Sequence, residues 1–470
     1  MLPAHIAENI RKQILYYLQS TFAFRDRRAE KQFERFLIDP EKGIFKGPWV
    51  TLRRPYRPAP EGVLDNGELF DFTIPFHPYR HQYLAWKRLS SKNKTPECTI
   101  VTTGTGSGKT ECFLYPILDH CLRAKKQGQK GIKAIILYPM NALASDQEKR
   151  FASIIWEKAA LKNAGIRVGN YTGRYDPLSP GASAESGTKV MGEDHGITHH
   201  GVQQENPPDI LLTNYKMLDF LLMRPQDQNL WRFNEKGVLT YLVLDELHTY
   251  DGAQGADVAC LIRRLKERLE IDKGALCVVG TSATLDKRET LKDSSSQAVP
   301  IDAMELAVDR LARFAATLFE EEISPDGIIV EDRLDVEEIV SPDDLELSLP
   351  DPQTCDPLDI EDTLQYAMRQ TALWKGPVYT ITDSATEEQR EQAIEQWTLD
   401  LGIWLKKTRL FRYLLEIFHM AERKGEDPYT WKQVVEGLSH RDLGFSAVDD
   451  PEDRQRLVMS FFALVAHAKE

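Results

Sequence analysis

The chain has 470 residues, a length that allows two or three domains, each with its own hydrophobic core. Its composition, 42% hydrophobic and 28% charged, is typical of a globular protein, and no apolar run is long enough to cross a bilayer. The formal net charge of -13 argues against a protein that coats nucleic acid nonspecifically, although a basic groove can lie on an acidic molecule. We expect a cytoplasmic protein that makes no membrane contact.

Residues 1–74 are predicted to form N-terminal accessory helices followed by an extended arm. Apolar residues recur at helical spacing over residues 5–22 and again over 30–37, whereas prolines and aromatic residues alternate beyond them. Three arginines flank Tyr56 in this arm: Arg53, Arg54 and Arg57. They are compatible with a nucleic-acid contact, but an arm held to a domain by its aromatic side chains has the same pattern, and both interpretations stay open.

Tyr79 and Gln82 immediately precede a predicted helix over residues 83–89. A glutamine amide donates and accepts hydrogen bonds at once, the property needed to hold the edge of an adenine, and a tyrosine ring can stack on the base. A glutamine before a helix is uninformative alone, but this one lies about twenty residues before a phosphate-binding motif. We therefore predict that both side chains contact the nucleotide.

A glycine-rich segment, Thr103 to Thr110, joins a short predicted strand over residues 97–102 to an amphipathic helix. Glycines let successive N–H groups point at one anion, and the positive end of the helix adds to the attraction. In such a phosphate loop the lysine reaches the β- and γ-phosphates and the final hydroxyl ligates Mg²⁺, so the cofactors predicted are ATP and Mg²⁺. The strict pattern has glycine at the position of Thr103, a departure that concerns only the first turn. The predicted contacts are Gly104, Thr105, Gly106, Ser107, Gly108, Lys109 and Thr110.

After this loop, apolar strands alternate with helices. The strands are predicted at residues 133–138, 166–171, 209–213, 239–245 and 275–281. This rhythm predicts an α/β domain over residues 75–300 with a parallel sheet covered by helices on both faces. A polar segment rich in Gly and Ser, residues 173–208, interrupts it and is predicted to be a solvated or disordered loop insertion.

The strand that ends at Leu244 runs into Asp245-Glu246-Leu247-His248. Two carboxylates after an apolar strand form the second half of a nucleotide triphosphate site: Asp245 holds Mg²⁺ and Glu246 polarises the attacking water. Because a phosphate loop lies in the same predicted sheet, we assign the catalytic role to Lys109, Asp245, Glu246 and His248.

The next strand delivers Ser282-Ala283-Thr284. The hydroxyls of Ser282 and Thr284 are predicted to hydrogen-bond the loop from Asp245 to His248 and to couple it to the state of the nucleotide.

These motifs occur in the order and spacing of the first motor domain of superfamily 2 helicases, which the chain resembles over residues 75–285. The segments Tyr-Pro-Met-Asn-Ala-Leu-Ala from residue 138 and Asp-Glu-Leu-His-Thr-Tyr-Asp-Gly from residue 245 look like large bacterial DEAD/DEAH-type helicases, which include MrfA-like repair helicases and those of anti-phage systems such as Druantia. The resemblance implies a RecA-like fold and ATP-driven movement along DNA. It also implies contacts with the backbone of one DNA strand through Asn141, Thr172 and Thr213.

Residues 301–470 are predicted to form an acidic linker and a helical accessory domain. Only one basic residue, Arg333, occurs among the many acidic ones over residues 320–362, which is typical of a solvated linker. Helical periodicity follows, so we predict an all-helical C-terminal module that offers a surface to a protein partner.

A superfamily 2 motor needs a second RecA-like sheet, because the nucleotide lies between two sheets and the second supplies an arginine finger. No second set of such motifs occurs after Thr284. We expect a second RecA-like domain in the same longer protein or in a partner chain, and weak turnover without it.

The function that best fits is an ATP-dependent DNA helicase or translocase motor, acting in DNA processing or anti-phage defence on a single strand or a duplex with a tail. Two alternatives remain: a nucleotide-gated module that binds nucleic acid or protein without unwinding, and a translocase on duplex DNA.

Overall fold

A computed structural model describes residues 3–39, 42–45, 49–64, 67–172, 187–283, 303–355, 363–376, 386–424 and 429–469. The chain divides into two compact units. The sheet unit is Tyr56–Arg333, and the helical unit combines Met1–Pro55 with Leu334–Glu470. The boundaries between the compact units fall after residues 55 and 333. The predicted domain limits at residues 75 and 300 differ from these boundaries and stay a prediction.

The elements are numbered in chain order. The described helices are α1 (Pro3–Thr21), α2 (Arg27–Ile38), α3 (Arg80–Leu89), α4 (Lys109–Lys126), α5 (Asn141–Glu157), α6 (Ala159–Asn163), α7 (His200–Glu205), α8 (Tyr215–Met223), α9 (Gly252–Arg268), α10 (Ala303–Phe319), α11 (Val336–Ile339), α12 (Thr363–Lys375), α13 (Glu387–Leu405), α14 (Arg409–Lys424), α15 (Trp431–Ser439) and α16 (Pro451–His467). The described strands are β1 (Trp49–Val50), β2 (Thr99–Thr102), β3 (Ala134–Leu137), β4 (Val168–Asn170), β5 (Ile210–Thr213), β6 (Tyr241–Leu244), β7 (Cys277–Ser282), β8 (Ile328–Val330) and β9 (Tyr429–Thr430).

The sheet unit is built on one parallel sheet with the strand order β4-β5-β3-β6-β7-β2-β8 among the described residues. The register aligns the carboxyl ends of the strands: Leu137 is paired with both Thr213 and Leu244, and Thr102 with Ser282. In such sheets the polar residues that follow the strands gather at one edge. The predicted α/β class is confirmed.

Helices cover both faces of this sheet because successive strand residues point to opposite sides. Ile135 and Leu137 of β3 belong to a core that includes side chains of α9 and α10, whereas Ala134 and Ile136 belong to a core with α3 and α4. All four are fully buried. Burying a large aliphatic side chain contributes about 1.5–3 kcal/mol, so the strands form a rigid base for the loops at their carboxyl ends.

The seventh strand, β8, corrects one expectation. Residues 320–362 were predicted to be a solvated linker, which is wrong for Ile328–Val330, because this strand pairs in parallel with β2. Three apolar residues between acidic neighbours are too short a run to stand out from the composition of the segment. The turn before β8 is held by Lys266, whose buried Nζ donates to Phe319 O at 2.8 Å and to Glu321 Oε1 at 2.5 Å.

The insertion is also more ordered than predicted. Residues 173–186 lie outside the described residues, but within residues 187–206 the backbone of Ile197 forms a bridge with Gly169 of the edge strand β4, so the expected solvated loop is wrong for this part. The fully buried Gln203 donates through Nε2 to Asn170 O at 3.1 Å and to Ile197 O at 2.9 Å. These bonds satisfy carbonyl groups at the sheet edge, which a solvated loop would leave to water.

The helical unit joins the two ends of the chain. Strand β1 pairs antiparallel with β9, with Trp49 opposite Thr430 and Val50 opposite Tyr429. Helices α12 to α16 surround an apolar core, which confirms the predicted C-terminal helical module. None of the described helices is both long enough and apolar enough to span a bilayer.

The arm before residue 75 is held by ion pairs. In the helical unit, Arg54 Nη1 lies 3.2 Å from Asp335 Oδ1, and the arginine side chain is largely buried. In the sheet unit, Arg57 Nε lies 3.0 Å from Asp332 Oδ1. Two of the three arginines beside Tyr56 therefore have partners within the chain, which favours an attached arm over a nucleic-acid contact.

Candidate nucleotide-binding site

The phosphate loop connects the end of β2 to the start of α4. Gly106 and Gly108 have φ angles of 79° and 74°, in the left-handed region that glycine adopts without steric cost. A Cβ at Gly108 would lie 2.3 Å from Gln82 Nε2, whereas a Cβ at Gly106 would meet no described atom within 4 Å. The left-handed backbone therefore favours glycine at both positions, and the space beside Gly106 is open.

Hydrogen bonds within the loop explain the residue at its first position. Thr103 and Ser107 are buried, and their hydroxyl oxygens lie 2.6 Å apart. Lys109 Nζ donates to Thr103 O at 3.0 Å, so the ammonium group lies against the loop backbone. Thr103 thus adds a side-chain contact to the loop that a glycine could not make, and the phosphate contact of Ser107 stays a prediction.

Gln82 and its neighbour His81 hold the loop from the side of α3. Gln82 is only 3% exposed, and its Nε2 donates to Gly108 O at 3.3 Å while its Oε1 accepts from Tyr79 N at 2.9 Å. His81 Nε2 lies 2.9 Å from Ser107 O. Burial lowers the pKa of His81, so the ring is neutral and Nε2 is the donor. Sequence reasoning missed His81, whose only signal is its place next to Gln82.

Tyr79 remains half-exposed, 39% of its surface being accessible, and its ring stacks on His81 with the centroids 5.6 Å apart. Its contact with an adenine stays a prediction. The contact of Gln82 with the base stays one too, since the amide group bonds the phosphate loop in this structure.

The carboxylate pair follows β6. Burial raises the pKa of Asp245, and the hydroxyl of Thr281 lowers it in part by donating a hydrogen bond to Oδ1. The same hydroxyl accepts a hydrogen bond from the backbone N–H of Glu246 at 3.1 Å. Sequence reasoning missed Thr281, because a residue inside an apolar strand looks like any other residue of the sheet.

Glu246 has an unusual backbone, with φ 53° and ψ 56°. Such a left-handed conformation costs a non-glycine residue on the order of 1–3 kcal/mol, and the hydrogen bond from Thr249 N to Glu246 O at 2.8 Å helps to hold it. Glu246 Oε2 is buried and forms no hydrogen bond within the described residues. An unsatisfied carboxylate oxygen of this kind is suited to binding and polarising a water molecule.

His248 connects the carboxylates to β7. Its Nδ1 lies 3.4 Å from Glu246 Oε2 and 3.3 Å from Ser282 Oγ. Ser282 therefore reaches the loop with which its hydroxyl was predicted to interact, and its coupling role stays a prediction. Thr284 lies outside the described residues.

The two halves of the site lie at the same edge of the sheet. Strands β2 and β6 flank β7, and Lys109 is close enough to Asp245 for its charge to lower the pKa of that carboxyl, against the larger effect of burial. Thr110, at the start of α4, and Asp245 supply hard oxygen ligands of the kind that Mg²⁺ prefers. The residues present thus fit a magnesium nucleotide.

The three residues predicted to contact nucleic acid lie at or just beyond the carboxyl ends of neighbouring strands, but of these three only Asn141 is exposed. Thr172 is buried, and the fully buried Thr213 donates its hydroxyl to Tyr171 O at 2.6 Å. Asn141 Oδ1 accepts a hydrogen bond from Asn214 Nδ2 at 2.7 Å. Sequence reasoning did not assign a role to Asn214. The DNA contacts of Asn141, Thr172 and Thr213 stay predictions.

The segment that holds these residues matches a known protein family. The profile of the DEAD/DEAH box helicase family matches residues 79–292, which include the phosphate loop and the carboxylate pair. Residues 79–292 are similar to a DEAD/DEAH box helicase domain. The matched segment lies within the sheet unit and holds the predicted catalytic residues.

Relatives extend this likeness. The chain is 28% identical over 380 residues to the Druantia protein DruE of Escherichia coli, a match that covers 60% of this chain and 20% of DruE. It is 30% identical over 207 residues to the uncharacterized ATP-dependent helicase YprA of Bacillus subtilis, covering 44% of this chain and 23% of YprA. The predicted resemblance to large helicases of this type is confirmed. The matched regions span only about a fifth of the length of these relatives.

Among solved structures, the chain is similar to the DUF1998 helicase MrfA bound to DNA. The identity is 24% and the TM-score is 0.38, and the match covers 60% of this chain and 32% of that chain.

Proposed function

We propose that this chain is the ATP-binding half of an ATP-dependent DNA helicase or translocase. The observation that carries the proposal is that the phosphate loop with Lys109 and the Asp245-Glu246 pair follow β2 and β6 at the same edge of the sheet, on loops that Gln82 and Thr281 hold in place. ATP and Mg²⁺ are the cofactors proposed. The second RecA-like domain comes from the same longer protein or from a partner chain.

Each residue has a defined task in this proposal. Lys109 and the N–H groups at the start of α4 bind the phosphates, because a helix amino terminus and an ammonium group both attract anions. Oε2 of Glu246, which accepts no hydrogen bond within the described residues and lies 3.4 Å from His248 Nδ1, orients a water molecule and accepts its proton. Mg²⁺, when held by Thr110 and Asp245, neutralises negative charge on the β- and γ-phosphates.

The proposed polymer substrate is DNA, either a single strand or a duplex with a tail. Asn141 and Asn214 present exposed or half-exposed amides at the carboxyl ends of β3 and β5, where the predicted strand contacts lie. A role in DNA processing or anti-phage defence is proposed, and the likeness to DruE supports defence.

Binding of a fluorescent ATP analogue to the chain, with three variants, tests the ATP site. Lys109→Ala should abolish binding, because it removes the cation of the loop, while Glu246→Gln should bind like the wild type. Lys273→Ala, at a side chain that is 70% exposed in the same unit, is the matched control and should bind normally. Binding by Lys109→Ala that equals the wild type would contradict the proposal.

Turnover tests the need for a second domain. The chain alone should hydrolyse ATP slowly, since loss of an arginine finger costs on the order of 10³ to 10⁵ in rate. Addition of the second RecA-like domain should raise the rate, and Glu246→Gln should then block it. Strand-displacement and triplex-displacement assays on that assembly separate unwinding from movement along duplex DNA, and a binding module would show neither activity.

A further inference from the structure

The chain leaves the sheet beside the phosphate loop. Strand β8 runs parallel to β2 with Val330 opposite Thr102, so the residue after β8 is level with the start of the loop. That residue is Glu331, whose backbone N–H donates to Thr102 O at 3.1 Å. Its side chain reaches across to the loop, where Oε2 accepts a hydrogen bond from the backbone N–H of Gly104 at 3.1 Å.

A second residue holds this carboxylate. Arg333 Nε lies 3.4 Å from Glu331 Oε1, and the arginine side chain is only 7% exposed. The guanidinium group lies 4.0 Å above the ring of Tyr56. Cation–π contacts of this kind favour a fixed orientation of the arginine, so the carboxylate of Glu331 is directed toward Gly104.

The loop is therefore attached at both ends. Glu331 holds its first glycine, and His81 and Gln82 hold the carbonyl groups of Ser107 and Gly108 at the other end. A hydrogen bond with an ionised acceptor is stronger than one between neutral groups. Without it, the turn before Gly106 would still be held by the bond from Thr103 N to Ser282 O at 3.2 Å and by the contact between Thr103 and Ser107, but the Gly104 N–H would lose the carboxylate that it bonds in this structure.

We propose that Glu331 is a positioning residue of the nucleotide site, which fixes the phosphate loop in the shape that binds the triphosphate. The inference rests on the proposed function and adds a residue, outside the segment matched by the helicase family, to its site. The negative charge of Glu331 lies near the expected phosphates, and Arg333 offsets it.

The test compares Glu331→Ala with Glu331→Gln by binding of a fluorescent ATP analogue to the chain. Both variants lose the negative charge, so the ratio of their dissociation constants isolates the hydrogen bond, which glutamine can still accept. Since a net hydrogen bond is worth about 1 kcal/mol, the alanine variant should bind about fivefold more weakly than the glutamine variant. Glu322→Ala, at a side chain that is 94% exposed in the same unit, should bind like the wild type.

If Glu331 only stabilised the fold, its replacement would lower the melting temperature, but the alanine and glutamine variants would bind the ATP analogue with equal affinity. Hydrogen exchange of the peptide that covers residues 99–110 should also rise in Glu331→Ala and not in Glu331→Gln, while peptides of β3 stay unchanged. Equal affinity of the two variants would overturn the inference. If Glu331→Ala does not fold, Glu331→Asp replaces it: its carboxylate is one methylene shorter, and affinity equal to the wild type would overturn the inference.

Absence of binding by the wild type would refute the proposed ATP site itself, a result distinct from equal binding by the two variants. The aspartate variant tests the length of the side chain. Glu331 Oε2 lies 3.1 Å from Gly104 N, and an aspartate carboxylate, one methylene shorter, would not reach this hydrogen bond.

Discussion

Replacing Thr281 with valine removes a hydroxyl from the centre of the site while keeping the shape of the side chain. Thr281 is fully buried, and its hydroxyl donates to Asp245 and accepts from the Glu246 N–H. A hydrogen bond to a charged group is worth about 1.5–3 kcal/mol, and a buried unpaired N–H costs about 1–3 kcal/mol. Allowing for relaxation of the Glu246 loop, we expect Thr281→Val to lower the free energy of unfolding by about 2–5 kcal/mol.

Urea denaturation followed by tryptophan fluorescence measures this change. Thr317→Val is the matched control, because the same hydroxyl is removed from an exposed position of α10, and it should alter stability by less than about 0.5 kcal/mol. Thr281→Ser, which retains the hydroxyl, should recover most of the loss. A valine variant within about 1 kcal/mol of the wild type, or a serine variant no better than valine, would refute the reasoning.

The same variant has a consequence for pH dependence. Burial raises the pKa of Asp245 and the Thr281 hydroxyl lowers it, so the valine variant should raise that pKa further. In the proposed function the ionised Asp245 carboxylate holds Mg²⁺, so the loss of nucleotide binding on acidification should begin at a higher pH in Thr281→Val. A titration of binding from pH 8 down to pH 5 in both proteins checks the direction.

Three further changes have defined outcomes. Lys133→Met removes the buried one of two lysines that pair with Asp209, and because Lys125 still pairs with this carboxylate the cost in urea denaturation should be up to about 3 kcal/mol; Lys273→Met, at an exposed side chain, should cost little. Burial lowers the pKa of His120 from 6.5 to about 4. The free energy of unfolding should therefore fall by up to about 3 kcal/mol as the pH is lowered from 6.5 to about 4, because the unfolded chain binds the proton first. The variant His120→Gln should lack this pH dependence. Gly108→Ala should weaken binding of an ATP analogue more than Gly128→Ala, which has a similar φ but meets no described atom within 4 Å.

The parts of the site that sequence predicts are continuous in the chain. The phosphate loop and the Asp245-Glu246 pair each lie within a few residues, and their side chains serve one chemical purpose, so their identity and spacing are informative. The strands that carry them are apolar and alternate with amphipathic helices, which indicates the parallel sheet before any contact is known.

The supporting residues are different, because their roles depend on distant backbone groups. Thr281 lies in an apolar strand, Glu331 in an acidic run and Gln203 in a polar insertion, and each looks ordinary in its own segment. Their partners are the Glu246 N–H, the Gly104 N–H and the Asn170 carbonyl. Only the strand order, which follows from tertiary packing, brings these pairs together.

The pairing of β1 with β9 has a consequence for synthesis of the protein. The ribosome makes Trp49 and Val50 long before their partners Tyr429 and Thr430, and it completes the whole sheet unit in between. Domains generally fold as units while the chain emerges, so β1 cannot form its pairing before Tyr429 and Thr430 have been synthesised. Truncation from either end should therefore damage the same unit, and a fragment limited to residues 56–333 is the natural choice for separate expression.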